Sequence, residues 1–205
     1  MTLDQVCMQL LDRTPTPHRR LVAVVGPPAS GKSTLAQIVA SRLTDMGEHS
    51  TVVPMDGFHL DDRLLRVDGT QNRKGAPETF DAYGFVRLSN ALQSTDPVIF
   101  PIFDRDREIA IAGAGRIDGT CRTVGVEGIY LLLKKPPWTQ LHGLWSYSIA
   151  LHPPKDVLVD RLHDRWAKHG KSDAQRWIDT NDVPNITTVL SQSAPADITW
   201  SETPT

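Results

Sequence analysis

The sequence predicts an α/β fold with a mainly parallel sheet and helices on both faces. Three observations carry that expectation. Short apolar runs alternate with helically periodic stretches along the 205 residues, at a spacing that suits βαβ units. The runs at 21–25 and 129–133 are continuous rather than alternating, as in strands buried on both faces. The composition, 40% apolar and 22% charged, is that of a folded globular chain and excludes disorder.

Each element has its own signal. Thr2-Leu3-Asp4-Gln5 is a capping box opening a helix with Leu3, Val6 and Leu10 on one face. Thr14-Pro15-Thr16-Pro17 stops it. The strand at 21–25 ends in Gly26-Pro27-Pro28, and Leu35, Ile38, Val39, Leu43 and Met46 then recur at helical spacing up to Gly47, a natural C-terminal stop. Residues 51–55 form the next strand. Asp81 caps a helix carrying Phe85, Leu88 and Leu92; 98–103, 123–126 and 145–151 read as three further strands. Pro153-Pro154 opens a helix with Leu158, Leu162 and Trp166 on one face, and Ser172-Asp173-Ala174-Gln175 is a second capping-box pattern before Trp177 and Ile178. An edge strand fits at 197–200. One domain spanning 1–205 is expected, with residues 1–17 as N-terminal helix and linker, and mobile pieces at 60–80 and 105–120.

Gly26-Pro27-Pro28-Ala29-Ser30-Gly31-Lys32-Ser33 matches G-x-x-x-x-G-K-[ST] at every defined position. The glycines permit turns that aim successive N–H groups at a phosphate, and the following helix presents its positive end to the same anion. Lys32 reaches the β- and γ-phosphates, and the Ser33 hydroxyl suits Mg²⁺. An accidental match arises in roughly one chain in a hundred of this length; here the pattern also sits between a buried-strand run and an amphipathic helix, as its mechanism requires. Residues 26–33 together with Thr34 are the expected nucleotide-binding set of a P-loop NTPase. GTP is disfavoured, because the chain has no Asn/Thr-Lys-x-Asp segment; Asp81-Ala82-Tyr83-Gly84 fits D-x-x-G but lacks a preceding buried strand.

Ligands of open α/β sheets sit beyond the carboxyl ends of the strands. Asp56 follows Val52-Val53-Pro54-Met55 at such an end, where a carboxylate can face a γ-phosphate and take a proton from an attacking hydroxyl. Glu127 ends the 123–126 strand and is the candidate for holding Mg²⁺. That cation keeps several waters and takes few protein ligands, so Ser33 with Glu127 and Asp56 is a sufficient set.

Five ordered pieces carry a family resemblance: the P-loop; Met55-Asp56-Gly57-Phe58-His59; Lys74-Gly75-Ala76-Pro77-Glu78-Thr79-Phe80-Asp81; Phe100-Pro101-Ile102-Phe103-Asp104-Arg105; and Val126-Glu127-Gly128-Ile129-Tyr130-Leu131-Leu132-Leu133. Together they resemble the phosphoribulokinase/uridine kinase family of P-loop kinases, over residues from about 20 to 190, and within it small bacterial proteins described as fructose-transport-system or nucleoside/sugar kinases. The resemblance implies a three-layer α/β/α fold, a five-stranded parallel core in order 2-3-1-4-5, and a small helical lid at 155–175. It also implies that Asp56 is the catalytic base, that Glu127 belongs to the metal or substrate shell, and that His59, Thr79, Phe80, Asp81 and Arg105 line the acceptor pocket. The lid cations matching the family are Arg161, Arg165 and Lys168, which their spacing places on one stripe of the helix. Two readings of that stripe stand: cations that neutralise the transferring phosphoryl group, or a solvated face paired with Asp160 and Asp164. The chain departs from the family at Asp106-Arg107-Glu108-Ile109-Ala110 and at Lys134-Lys135, both near the acceptor.

The expected activity is transfer of the γ-phosphoryl group of ATP, with Mg²⁺, to a hydroxyl of a small molecule: a fructose-like sugar or a nucleoside. Pantothenate-like and phosphosugar acceptors, or a transport-associated regulatory ATPase, are the alternatives. With 22 Lys and Arg against 24 Asp and Glu, a nucleic-acid or anionic-lipid surface is not expected. No run is long enough to cross a bilayer, and the opening residues carry no export signal, so the expected location is cytoplasmic, as monomer or homodimer. Cys7 and Cys121 suggest no disulfide scaffold or metal cluster. The histidines lack metal-ligand spacing; Trp138 packs under a loop, and Trp177 borders the adenine or sits in the core.

Overall fold

A computed structural model describes residues 1–13, 18–170 and 172–201; the helix stop at 14–17 lies outside them. In chain order the elements are α1 (Leu3–Asp12), β1 (Arg20–Val25), α2 (Lys32–Asp45), β2 (Ser50–Pro54), α3 (Asp62–Val67), α4 (Ala82–Ala91), β3 (Val98–Asp104), β4 (Ile109–Ile117), β5 (Thr123–Gly128), β6 (Tyr147–Leu151), α5 (Lys155–Lys168), α6 (Ala174–Trp177), a π-helical segment Ile178–Asp182, α7 (Val183–Gln192) and β7 (Ile198–Trp200).

Five strands form one parallel sheet in the order β2-β5-β1-β6-β7. Counted along the chain without the two ribbon strands, that is the expected order 2-3-1-4-5. Period-two side-chain alternation divides β1 between two apolar layers. Leu21, Ala23 and Val25 join a cluster with Phe85, Tyr130 and Trp138, whereas Val22 and Val24 join one with α1 and α2 through Val6, Leu10, Leu35 and Val39. The result is three layers. The capping box of α1 is present: Thr2 Oγ1 accepts from Gln5 N at 3.3 Å, and Gln5 Oε1 accepts from Thr2 N at 2.8 Å.

Sequence and structure part company at five places. Residues 98–104 do not join the main sheet but pair antiparallel with β4 as a two-stranded ribbon, with a register shift between Phe100 and Ile102. Pro101, between those two, has no N–H to give a ladder, and proline is tolerated at bulges and edges. Residues 105–120, expected to be mobile, contain β4; its Ile-Ala-Ile-Ala-Gly-Ala-Gly run is too small and too exposed to give a strand signal. The segment at 60–80 is organised by α3, capped by Asp61, and by two 3₁₀ turns. Residues 129–133 are not a strand: β5 stops at Gly128 and the apolar run folds into a buried turn under Trp138. The second capping box also fails to form, because α6 starts after Asp173 without a side-chain cap bond.

At the amino end of the sheet Arg19 is 3% exposed. Its guanidinium donates to the carbonyls of Cys121, Thr95, Asp96 and Asp118 at 2.8–3.1 Å, tying the ribbon and α4 to the strands. At the carboxyl end, Leu158 and Leu162 of α5 pack with Ile178 and Ile186 against Ala29. That contact sets α5 over the glycine loop. Among the described residues no helix is long and apolar enough to cross a membrane.

Candidate active site

Strand register builds the site. Glu127 is level with Val24 on one side and Pro54 on the other, so the residues just beyond those ends, the loop from Gly26 and the turn Met55–Phe58, converge at one edge. Gly31 takes φ 90° and is the N-cap of α2, with no side chain spent on the first N–H groups. Ala29 is also left-handed at φ 62°, a strained choice of the kind found where backbone is shaped around a ligand. Ser30 is fully buried and its Oγ has no partner. The loop is thus a concave run of backbone donors ahead of a 14-residue helix, a ready anion site.

Opposite it, Asp56 pairs with Arg105 and lies within electrostatic reach of Lys32. Burial alone would raise its carboxyl, but Arg105 and then Lys32 outweigh burial and hold it below the ordinary aspartate value. Lys32 is lowered by desolvation, against the pull of Glu127 and Asp56. Glu127, 4% exposed, is raised by burial against the opposing pull of Lys32 and of the neighbouring Ser33 hydroxyl. Its Oε2 is buried without a partner. An orphaned carboxylate oxygen beside the P-loop serine fits a divalent cation that completes its shell with water. Among the described residues no cluster of three or more His, Cys, Asp or Glu forms a dedicated metal cage, as such a cation allows.

Lys32, Asp56 and Arg105 face a cavity of about 920 Å³, whereas Glu127 and Ser33 are not among the residues that line it. Pro28, Lys32, Asp56, His59, Phe80, Arg105 and Arg165 from the sequence-derived set line it. His59 stacks on Phe80 with ring centroids 4.1 Å apart and tilts against Phe103; burial pulls its pKa down to about 4, more than neighbouring Asp56 restores. Arg165 is lowered by desolvation and by Arg105, while Arg161 points at the Ala29 and Ser30 carbonyls at 3.4–3.5 Å and faces a smaller recess with Lys168. Ser33 and Thr34 lie exposed in the first turn of α2.

Three residues expected in the substrate shell are not on the wall: Glu127, which sits behind it beside Ser33, and Thr79 and Asp81. Thr79 is fully buried, and its Oγ1 accepts from Gly75 N and donates to the Ala76 carbonyl, closing a turn. Asp81 caps α4 through Gly84 N at 2.7 Å. The same bond explains its D-x-x-G match: a side chain at Gly84 would collide with the capping carboxylate.

No family profile matches the chain. Among full-length relatives, "Uncharacterized protein YggC" of Escherichia coli is 32% identical over 192 residues, covering 91% of this chain and 79% of that protein. "Putative uridine kinase C227.14" of Schizosaccharomyces pombe is 32% identical over 200 residues, covering 88% and 82%. The crystal structure of a "putative fructose transport system kinase" from Silicibacter sp. TM1040 superposes with a TM-score of 0.94 at 46% identity, over 98% of this chain and 99% of that one. The chain belongs to the P-loop kinases of the phosphoribulokinase/uridine kinase type.

In this P-loop kinase the wall also holds residues outside the expected catalytic, nucleotide and acceptor sets, among them Lys74 of the third motif and Trp177, expected to border the adenine or sit in the core. Lys74 Nζ lies 2.8 Å from Asp62 and 3.1 Å from Glu108, fastening the hairpin tip to α3. Trp166 donates through Nε1 to Asp182 at 2.8 Å, and Trp177 packs edge-on to it at 6.2 Å; both border the cavity. Asn185 borders it from α7. Asn181 and Asn185 recur at helical spacing, but nothing local marks that pair as part of the site.

Proposed function

We propose that the protein is an ATP-dependent kinase that phosphorylates a hydroxyl of a small molecule, sugar-like or nucleoside. The observation that carries this is a carboxylate kept ionised, Asp56, facing the same cavity as the P-loop lysine. A regulator that only bound nucleotide would have no use for it.

The triphosphate of ATP lies in the Gly26–Ser33 loop, with Lys32 on its terminal phosphates. Asp56 accepts the proton of the acceptor hydroxyl as that oxygen bonds to the γ-phosphorus. The bond to the bridging oxygen breaks, and ADP leaves with its electron pair. Arg105 keeps Asp56 ionised and oriented until the acceptor arrives. Arg165 and Arg161 on α5, in the proposed lid region 155–175, balance charge spread over the phosphoryl oxygens. Glu127 and Ser33 would hold Mg²⁺, which when bound neutralises the β- and γ-oxygens. Most of the rate enhancement comes from positioning and electrostatics. The names of the two relatives, a uridine kinase and a fructose transport system kinase, support acceptors of that size.

The test is mass-resolved transfer from ATP·Mg²⁺ to pooled sugars, nucleosides and hydroxy acids. One compound gaining a single phosphoryl mass supports the assignment. ATP binding without transfer to any compound overturns it in favour of a nucleotide-dependent regulator.

A further inference from the structure

Two residues of the cavity wall each carry a buried side-chain atom without a hydrogen-bond partner: Nδ1 of His59 and Oδ1 of Asn185. A buried polar atom left unmade costs about 1–3 kcal/mol, so a wall that retains two of them is shaped for an occupant that supplies the missing bonds.

The orientation of Asn185 follows from its neighbours. Asn181 Nδ2 donates to the Lys74 carbonyl at 2.7 Å, which turns its Oδ1 toward Arg73 Nη1 and Asn185 Nδ2, each at 3.4 Å. Asn185 must therefore present its amide nitrogen to Asn181. Its Oδ1 is left without a donor on a side chain whose residue is 2% exposed. The π-helical segment Ile178–Asp182 carries Asn181 and leads directly into the turn that bears Asn185; π turns often mark functional positions.

Two cations of this wall are already matched. Lys74 Nζ is held by Asp62 and Glu108, and Arg105 by Asp56. His59 is neutral at ordinary pH. Phe80 and Phe103 add apolar ring faces on either side of it. A carboxylate or phosphate offers only acceptor oxygens, which an Asn185 Oδ1 repels. A hydroxyl offers the donor that it lacks.

On the kinase assignment above, we infer that Asn185 is a specificity-determining residue whose Oδ1 accepts a hydrogen bond from a second hydroxyl of an uncharged, polyhydroxylated acceptor, with His59 Nδ1 bonding to the same molecule, and that carboxylated and phosphorylated acceptors are rejected.

The experiment offers three separate pools to the full chain with ATP·Mg²⁺: neutral sugars, polyols and nucleosides; hydroxy acids such as glycerate and pantothenate; and sugar phosphates. Transfer is expected in the first pool alone. With the compound found there, Asn185→Leu raises the acceptor KM at least tenfold while the ATP Kd stays native and kcat falls far less. A purely structural role would move the ATP Kd and the melting temperature instead. Should Asn185→Leu fail to fold, His59→Phe, which keeps the ring stack, must raise the same KM. Transfer to the acid or phosphate pool at equal or higher kcat/KM overturns the inference and leaves the kinase assignment standing. So does an unchanged acceptor KM in a folded variant. No transfer in any pool overturns the kinase assignment, and this inference with it.

Discussion

Replacing Gly57 by alanine adds one methyl group at the point where the turn that bears Asp56, the proposed base, meets the ribbon. A Cβ there would overlap the Pro101 carbonyl oxygen and stand 2.7 Å from the carbonyl carbon and 3.2 Å from Ile102 N, so the displacement worked from the carbon is a minimum. Ordinary carbon–carbon contact begins near ~3.5 Å, so the turn or the ribbon must yield by about 0.8 Å, and neither neighbour is a flexible side chain. The turn carries Asp56 and the ribbon leads to Arg105, so the displacement falls on the Asp56–Arg105 pair. Overpacking of this kind costs about 1–3 kcal/mol, which at ~2–4 °C per kcal/mol for a chain of this size lowers Tm by about 2–12 °C. Misplacing a reacting group by ~1 Å costs ~100-fold in rate. Thermal unfolding and transfer kinetics should therefore show a lower Tm and a kcat down by one to two orders of magnitude. The P-loop is untouched, so ATP affinity stays within about twofold as the internal control. A Gly57→Ala protein with native Tm and native turnover would refute the claim that this close approach positions the base.

Three further outcomes are expected. In Glu127→Gln, ATP alone still raises Tm but Mg²⁺ adds nothing, whereas a saturating ligand at 100 times its Kd should add about 2.7 kcal/mol to the wild type; an intact Mg²⁺ increment in the variant removes Glu127 from the metal site. Arg19→Met keeps the volume but strands the carbonyls of Cys121, Thr95, Asp96 and Asp118, and should lower stability by about 3–5 kcal/mol in denaturant titration with little change in ATP affinity; a loss under ~1 kcal/mol contradicts the cage. Stability should also fall with acid between about pH 6.5 and 4. His59 binds a proton in the unfolded chain at its ordinary value but not in the folded one until about 4, so the unfolded state is favoured as pH drops through that window. One such proton contributes a slope of at most about 1.4 kcal/mol per pH unit, and His59→Phe should flatten the profile. Unfolding midpoints in His59→Phe that track wild type across the window would exclude His59 as the cause.

Where local chemistry decides the structure, the sequence was readable. The continuous run 21–25 is a buried strand, though the similar run 129–133 is a buried turn, and the Gly26–Ser33 pattern needs only its own backbone and the following helix. Five ordered motifs carried the strand order. The ribbon was not readable in full, because β4 is built from alanine and glycine and its partner β3 holds a proline at the bulge; pairing across the hairpin, not local propensity, makes the strand. Thr79 and Asp81 fell in a motif near the acceptor, yet both side chains are consumed by turns that present Phe80 and Gly75 instead. Asn185 was invisible for the opposite reason: it lies more than a hundred residues from Lys74 and Gly75, and only tertiary packing through Asn181 brings it to the wall.

The account stands on Asp56 as the group that takes the acceptor proton, and acceptor-dependent ADP release by wild type and Asp56→Asn, side by side, tests it most directly. The asparagine keeps size and shape, so ATP affinity should be native or tighter, with one negative charge fewer near the triphosphate. General-base catalysis is worth ~10²–10⁴-fold, and acceptor-dependent ADP release should fall by that factor toward the rate without acceptor. Release within threefold of wild type at saturating acceptor would contradict the assignment of Asp56 and the mechanism built on it.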